Sequence, residues 1–105
     1  MIQLFDSEQQ LLKILGSAAL LQVRIMGQPY CLVNDSGSFF LIESNCPHSN
    51  YPMSDGKVNG QGEVICMWHS YRFNLHTGKE KFDRCRSLKT YPITKSGNGA
   101  MEVKI

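Results

Sequence analysis

The spacing of hydrophobic residues near the start of the chain is helical. Leu11, Ile14 and Leu15 recur as residues on one face of a helix do. The segment Ser7–Gln10 has the form of a capping box, and Gly16 is a typical residue just beyond a helix end. This pattern predicts one short helix, which covers the edge or the end of a sheet.

From Ala19 onward the hydrophobic positions recur every second residue or form short apolar runs, as strands do. Clusters of Gly, Asn, Asp and Ser separate these segments and are typical of turns. The first three segments are expected to form an antiparallel meander that leads into a loop at residues 45–55. Short strands with a single helix indicate the all-β class. The segments lie at residues 21–25, 30–33, 39–42, 63–65, 72–75, 89–93 and 101–105.

The length and the net charge of the chain restrict the classes of function that we expect. A chain of 105 residues fits a single domain, residues 1–105, with a modest core. The formal charge of +2 is scattered, so we expect no nucleic-acid partner. No segment approaches the roughly 18 apolar residues of a membrane span, and the N-terminal residues lack the pattern of a secretory signal. We therefore expect a cytoplasmic protein without a membrane partner.

Two short motifs carry the chemistry. Cys46-Pro47-His48 is followed, after seventeen residues, by Cys66-Met67-Trp68-His69. Two thiolates and two imidazoles fit a tetrahedral zinc site, or a [2Fe–2S] cluster in which two His replace two Cys on one iron. Each motif holds one ligand of each type, which favours two irons, with Cys46 and Cys66 on one and His48 and His69 on the other. A catalytic Cys–His pair would not explain why the pair occurs twice.

The other Cys and His residues are expected to lie outside the site. Cys31 is in an apolar run and is predicted to be a small core residue. Cys85 stands between two arginines, which could lower its thiol pKa, but a structural role is favoured. His76 is expected at the surface, and Trp68 is expected to pack beside the metal and limit the access of water. Two disulfides are not favoured, because two of the four cysteines belong to the ligand motifs.

These motifs resemble the Rieske ferredoxins and Rieske-type small subunits. The resemblance covers about the last two-thirds of the chain and implies the Rieske fold: small antiparallel sheets form a base, and two loops within about residues 45–75 form a cluster-binding part. It implies one [2Fe–2S] cluster per chain, bound by the two Cys and two His above, and a protein that carries one electron at a time. The segments that carry it are Cys46-Pro47-His48, Met53–Gly56, Val64–Cys66, Trp68-His69, Phe73-Asn74, Thr77-Gly78 and Leu88–Pro92.

Departures from the family pattern indicate its low-potential branch, which includes oxygenase ferredoxins and nitrite-reductase small subunits. High-potential members carry two further cysteines that join the two loops, and Tyr51 and Met67 stand near those places here. Those members also donate a Ser and a Tyr hydroxyl to the cluster sulfurs. The matching positions are Tyr71 and Phe73, and Phe73 has no hydroxyl.

The resemblance implies an electron carrier between a flavin-dependent reductase and a terminal oxygenase. The alternative is a small Rieske subunit of a nitrite-reductase-like complex, and a structural zinc module that binds another protein is a third hypothesis. A catalytic oxygenase subunit needs a second iron domain, for which 105 residues leave no room. We therefore expect no enzymatic activity of the chain alone.

Overall fold

Strands joined by short turns make up most of residues 2–105, the part of the chain that the computed structural model describes. Within it lie one α-helix and nine strands, which confirms the predicted all-β class. The elements are β1 (Ile2–Phe5), α1 (Glu8–Leu15), β2 (Leu20–Ile25), β3 (Gln28–Asp35), β4 (Ser38–Glu43), β5 (Lys57–Val58), β6 (Glu63–Ile65), β7 (Arg72–Asn74), β8 (Thr90–Lys95) and β9 (Met101–Val103), with a 3₁₀ turn at Met53–Asp55.

Helix α1 begins and ends where its sequence signals predict. The Ser7 hydroxyl accepts a hydrogen bond from the Gln10 N–H at 3.1 Å, which satisfies one of the free donors of the first turn. A glycine with a φ of 62° ends the helix. Leu11 and Leu15 are buried, but Ile14 is 49 % exposed, so the predicted apolar face is narrower than its spacing indicated. Within residues 2–105, no helix is long and apolar enough to cross a membrane.

Six strands form an antiparallel sheet in the order β1-β9-β8-β4-β3-β2. The meander of β2, β3 and β4 is confirmed, with Leu21 opposite Leu32 and Val33 opposite Phe40. Strand β1 was not predicted from the sequence. Its four residues form a strand because they pair with β9 from the other end of the chain, and such a long-range pairing leaves no local signal.

Strands β5, β6 and β7 form a separate, smaller antiparallel sheet. It joins the first ligand loop, which ends at Gly56, to the second, which begins after β6. A Cβ atom at Gly56 would lie 2.1 Å from the carbonyl oxygen of Ile65, so only glycine permits this close approach of the two chain segments.

The central strands β3 and β4 are buried on both faces, which explains their nearly continuous apolar runs. On one face, Leu32 and Leu41 pack with α1, β1 and β9. On the other, Cys31, Val33 and Phe40 pack against the small sheet and the ligand loops. The large sheet therefore provides the base on which the ligand loops rest.

Candidate metal centre

The two ligand motifs form loops with the same backbone closure. The Cys46 N–H donates to the Tyr51 carbonyl at 2.8 Å, and the Cys66 N–H donates to the Tyr71 carbonyl at 2.8 Å. Each loop thus begins with a cysteine and closes on the carbonyl five residues later, with its histidine between the two. Sequence spacing had indicated paired motifs, and the structure adds that their loops are built alike.

The four predicted ligands lie near one another, and the cysteines are more deeply buried than the histidines. Cys46 and Cys66 are 2 % and 1 % exposed and belong to the core between the two sheets. His48 is half-buried and His69 is exposed, and their ring centroids lie 5.7 Å apart. The thiols are thus buried, and the imidazoles are more accessible to solvent.

The residues present fit a two-iron cluster. The Nδ1 atom of His48 is buried and has no hydrogen-bond partner within the described part of the chain. Leaving a buried polar atom unpaired costs free energy, and a bond to iron would satisfy it. The Cys46 thiol acts on the pKa of the Cys66 thiol, so the two sulfurs are neighbours. Two sulfurs and two imidazole nitrogens are the donor set of a Rieske-type cluster.

The backbone of the second loop is strained where it carries its histidine. His69 and the following Ser70 have φ values of 65° and 55°, in the left-handed region that residues other than glycine rarely adopt. Such conformations cost of order 1–3 kcal/mol each and cluster at functional sites. His69 in this segment is exposed, while Cys66 is buried in the core.

Two hydrogen bonds reach the cysteine sulfurs. The His48 N–H donates to the Cys46 Sγ at 3.4 Å, and the Ser49 hydroxyl lies 3.5 Å from the Cys66 Sγ. Hydrogen bonds to ligand sulfurs stabilise negative charge there and raise the potential of a bound cluster. Ser49 was missed by sequence reasoning, because its contact joins two loops seventeen residues apart and has no motif of its own.

The Cys66 thiol has a raised pKa. Burial is the main cause and the neighbouring Cys46 adds to it, while the Ser49 hydroxyl and the backbone N–H of Trp68 act in the opposite direction. A metal ligand must be a thiolate, so binding of a metal at Cys66 would release this proton.

Aromatic rings surround the two imidazoles. Tyr71 stacks on His48 with 3.7 Å between ring centroids and 9° between the planes. Trp68 stacks on His69 at 5.0 Å and meets Tyr51 of the other loop edge to face at 5.0 Å. Trp68 is 46 % exposed and packs beside the site as predicted, while its effect on the access of water stays a prediction.

The remaining cysteines and the third histidine lie outside the site. Cys31 is fully buried, and burial raises its pKa to about 12, which confirms a core role. Burial also raises the pKa of Cys85, with the nearby Cys46 acting in the same direction, so the two flanking arginines do not produce a reactive thiolate. His76 is exposed, and its ring meets Phe40 at 5.1 Å.

Comparison with known proteins agrees with this geometry. The model of the Rieske [2Fe-2S] domain family matches residues 7–92. The chain is 33 % identical over 82 residues to the biphenyl dioxygenase ferredoxin subunit of Pseudomonas sp. (strain KKS102), a match that covers 77 % of this chain and 75 % of that protein. It is 32 % identical over 84 residues to the 4beta-methylsterol monooxygenase of Methylococcus capsulatus, covering 69 % of this chain but only 22 % of that longer protein.

The fold is also similar to that of a solved Rieske-type protein. The Sphingomonas yanoikuyae B1 ferredoxin superposes with a TM-score of 0.68 and 26 % sequence identity, over 84 % of this chain and 86 % of that one. The chain therefore belongs to the Rieske [2Fe-2S] domain family, whose cofactor is a Rieske-type [2Fe–2S] cluster.

Proposed function

We propose that this chain is an electron carrier whose [2Fe–2S] cluster is bound by Cys46 and Cys66 at one iron and by His48 and His69 at the other. The observation that carries the proposal is the contrast in burial between the cysteines, which are 2 % and 1 % exposed, and the histidines, of which one is half-buried and the other exposed. When bound, such a cluster accepts and releases one electron at a potential of roughly −150 to +300 mV.

The two sides of the proposed site differ in their access to solvent. The buried Cys46 and Cys66 hold their side away from water and within the core. His48 and His69 extend the opposite side towards the surface. An electron would therefore leave through the imidazoles, because they give the shortest path from the site to a docked protein.

The surface around the imidazoles is suited to a protein partner. Four large apolar side chains are exposed there or nearby: Tyr51 by 43 %, Met67 by 68 %, Trp68 by 46 % and Phe82 by 67 %. Apolar side chains grouped on a surface are typical of interaction sites. Since the Pseudomonas relative is named a ferredoxin subunit of a dioxygenase, we propose a flavin-dependent reductase as electron donor and a terminal oxygenase as acceptor.

We further propose that residues 1–105 act as one domain without catalytic activity of their own, located in the cytoplasm. The pairing of β1 with β9 supports a single domain, because it places both ends of the chain in the same sheet.

The test is to purify the protein in air and measure iron, acid-labile sulfide and the EPR spectrum after reduction with dithionite. We expect two iron and two sulfide per chain, a red-brown protein, and coupling of the reduced cluster to two histidine nitrogens after ¹⁵N-histidine labelling. His76→Ala is the matched control, because it removes a histidine outside the site and should leave the spectrum unchanged. A colourless protein that contains zinc would refute the proposal.

A further inference from the structure

A cation, an aromatic ring and a proposed ligand form three layers beside the site. The Arg84 guanidinium carbon lies 3.7 Å over the centroid of the Tyr71 ring, and the His48 imidazole stacks at 3.7 Å from the same centroid. Two groups cannot both cover one face of a ring at this distance, so they must lie on opposite faces. The guanidinium is therefore about 7 Å from the imidazole, with Tyr71 between them.

A buried carboxylate fixes the orientation of Arg84. Glu80 is 1 % exposed, and it accepts hydrogen bonds from Arg84 Nε at 3.0 Å and Nη2 at 2.8 Å. Its Oε1 also accepts the backbone N–H groups of Phe82 at 3.2 Å and of Arg84 at 2.9 Å. Glu80 itself is held to β7 by a backbone bridge with Phe73. The guanidinium is thus fixed to the same small sheet that carries the second ligand loop.

The carboxylate is charged at neutral pH. Hydrogen bonding from Arg84 lowers the pKa of Glu80 to about 2, against the opposing effect of burial. In a two-bond pair the carboxylate lies in the plane of the guanidinium, and so beside Arg84 rather than over the Tyr71 ring. The positive member of the pair is consequently the one that faces the Tyr71–His48 stack.

We propose that Arg84 is a positioning residue for His48: it presses the Tyr71 ring against the imidazole, and its positive charge raises the reduction potential of the cluster. The inference rests on the proposed ligand role of His48. Two physical effects support it. A cation stacked on an aromatic ring is attracted to its face, which holds the ring in place. A positive charge near a redox centre stabilises the form that has gained an electron.

The charges of the pair predict the effect of a substitution at Arg84. Arg84→Gln removes the cation and leaves the Glu80 carboxylate, so the midpoint potential should fall. For Arg84→Gln we expect the equilibrium constant for reduction to fall about threefold to tenfold, where tenfold corresponds to about 59 mV for a one-electron couple. Glu80 keeps two backbone donors in Arg84→Gln, which favours correct folding of this variant.

Lys13→Gln is the matched control. Lys13 is exposed on helix α1, which packs on the face of the large sheet opposite to the ligand loops, so the substitution removes the same charge far from the stack. The midpoint potential of this variant should equal that of the wild type. Arg84→Lys keeps the charge but lacks a flat group that can stack, so it should keep most of the potential while changing the coupling of one histidine nitrogen.

The experiment measures the midpoint potential by voltammetry at one pH, and the histidine ¹⁵N couplings by pulsed EPR, on the holoprotein of each variant. The inference is overturned if Arg84→Gln has the wild-type potential and couplings, or if Lys13→Gln shifts the potential equally. It is also overturned if both Arg84 variants bind the cluster with unchanged nitrogen couplings. A wild-type protein without a Rieske EPR signal would instead refute the proposed function, so the two failures are distinguishable.

Discussion

Glu80→Gln should destabilise the protein far more than its small chemical change indicates. The pKa of Glu80 falls from 4.5 to about 2 in the folded protein, and each tenfold change in the proton affinity of a group corresponds to about 1.36 kcal/mol. The upper limit for the loss in free energy of unfolding is therefore about 3 kcal/mol. The Arg84 side chain is 40 % exposed, and solvent weakens its attraction to Glu80. We therefore expect the free energy of unfolding to fall by about 2 kcal/mol at pH 7. The glutamine keeps one acceptor oxygen, but its NH₂ group faces the Arg84 donors.

The loss should depend on pH in a defined direction. A lowered pKa means that the carboxylate stabilises the fold above its unfolded value of 4.5, and that this contribution is lost as the pH falls from 4.5 towards 2. The difference between wild type and Glu80→Gln should thus be constant from pH 7 to pH 5 and clearly smaller at pH 3. Urea unfolding followed by circular dichroism measures it, with both proteins compared at each pH so that acid loss of the cluster affects them alike.

Glu43→Gln provides the comparison. Glu43 also accepts two hydrogen bonds from an arginine, at 2.8 and 2.9 Å from Arg86. Burial raises its pKa, but the hydrogen bonds from Arg86 and the Lys89 N–H outweigh this and lower it. Its side chain is 18 % exposed and that of Arg86 is 57 % exposed, so we expect a loss of about 1 kcal/mol or less. Equal losses in the two variants, or a Glu80→Gln loss that persists at pH 3, would refute the reasoning.

Three further predictions concern the site and its frame. Cys46→Ser should abolish the EPR signal of the reduced cluster, whereas His76→Ala should retain it; a normal cluster in Cys46→Ser would refute the ligand assignment. The midpoint potential should lie near −150 to 0 mV, at the lower end of the Rieske range, because Phe73 is fully buried and brings no hydroxyl to the site. Phe73→Tyr should raise this potential in voltammetry, and an unchanged value would show that the ring does not face a sulfur. Gly78→Ala should cost more than about 2 kcal/mol in urea unfolding, since Gly78 has a φ of 79° and a Cβ there would lie 1.9 Å from a backbone oxygen. Gly97→Ala, where nothing lies within 4 Å, should be nearly neutral.

Most of the helices and strands could be predicted from patterns of residues that are close in sequence. Examples are the helix cap at Ser7, the alternating hydrophobic residues of β2 and the clusters of turn residues. Strands β1 and β5 were not predicted from the sequence. What makes them strands is their partners, β9 and β6.

The sequence by itself determined the chemistry of the site. Two Cys and two His in paired short motifs restrict the choice to few metals, because metal ligation depends on which donor atoms are present and on their spacing. The family match over residues 7–92 agrees with this prediction.

Only the tertiary structure decided what surrounds those ligands. Ser49 reaches Cys66 across the two loops, and Arg84 reaches the Tyr71–His48 stack from a turn fifteen residues beyond His69. A side chain in a turn has no periodic pattern, and its partner is set by how the two sheets pack rather than by neighbours in the chain. For the same physical reason, the exposed position of Trp68 could not be read from the hydrophobicity of its side chain: burial depends on what the fold places above a residue.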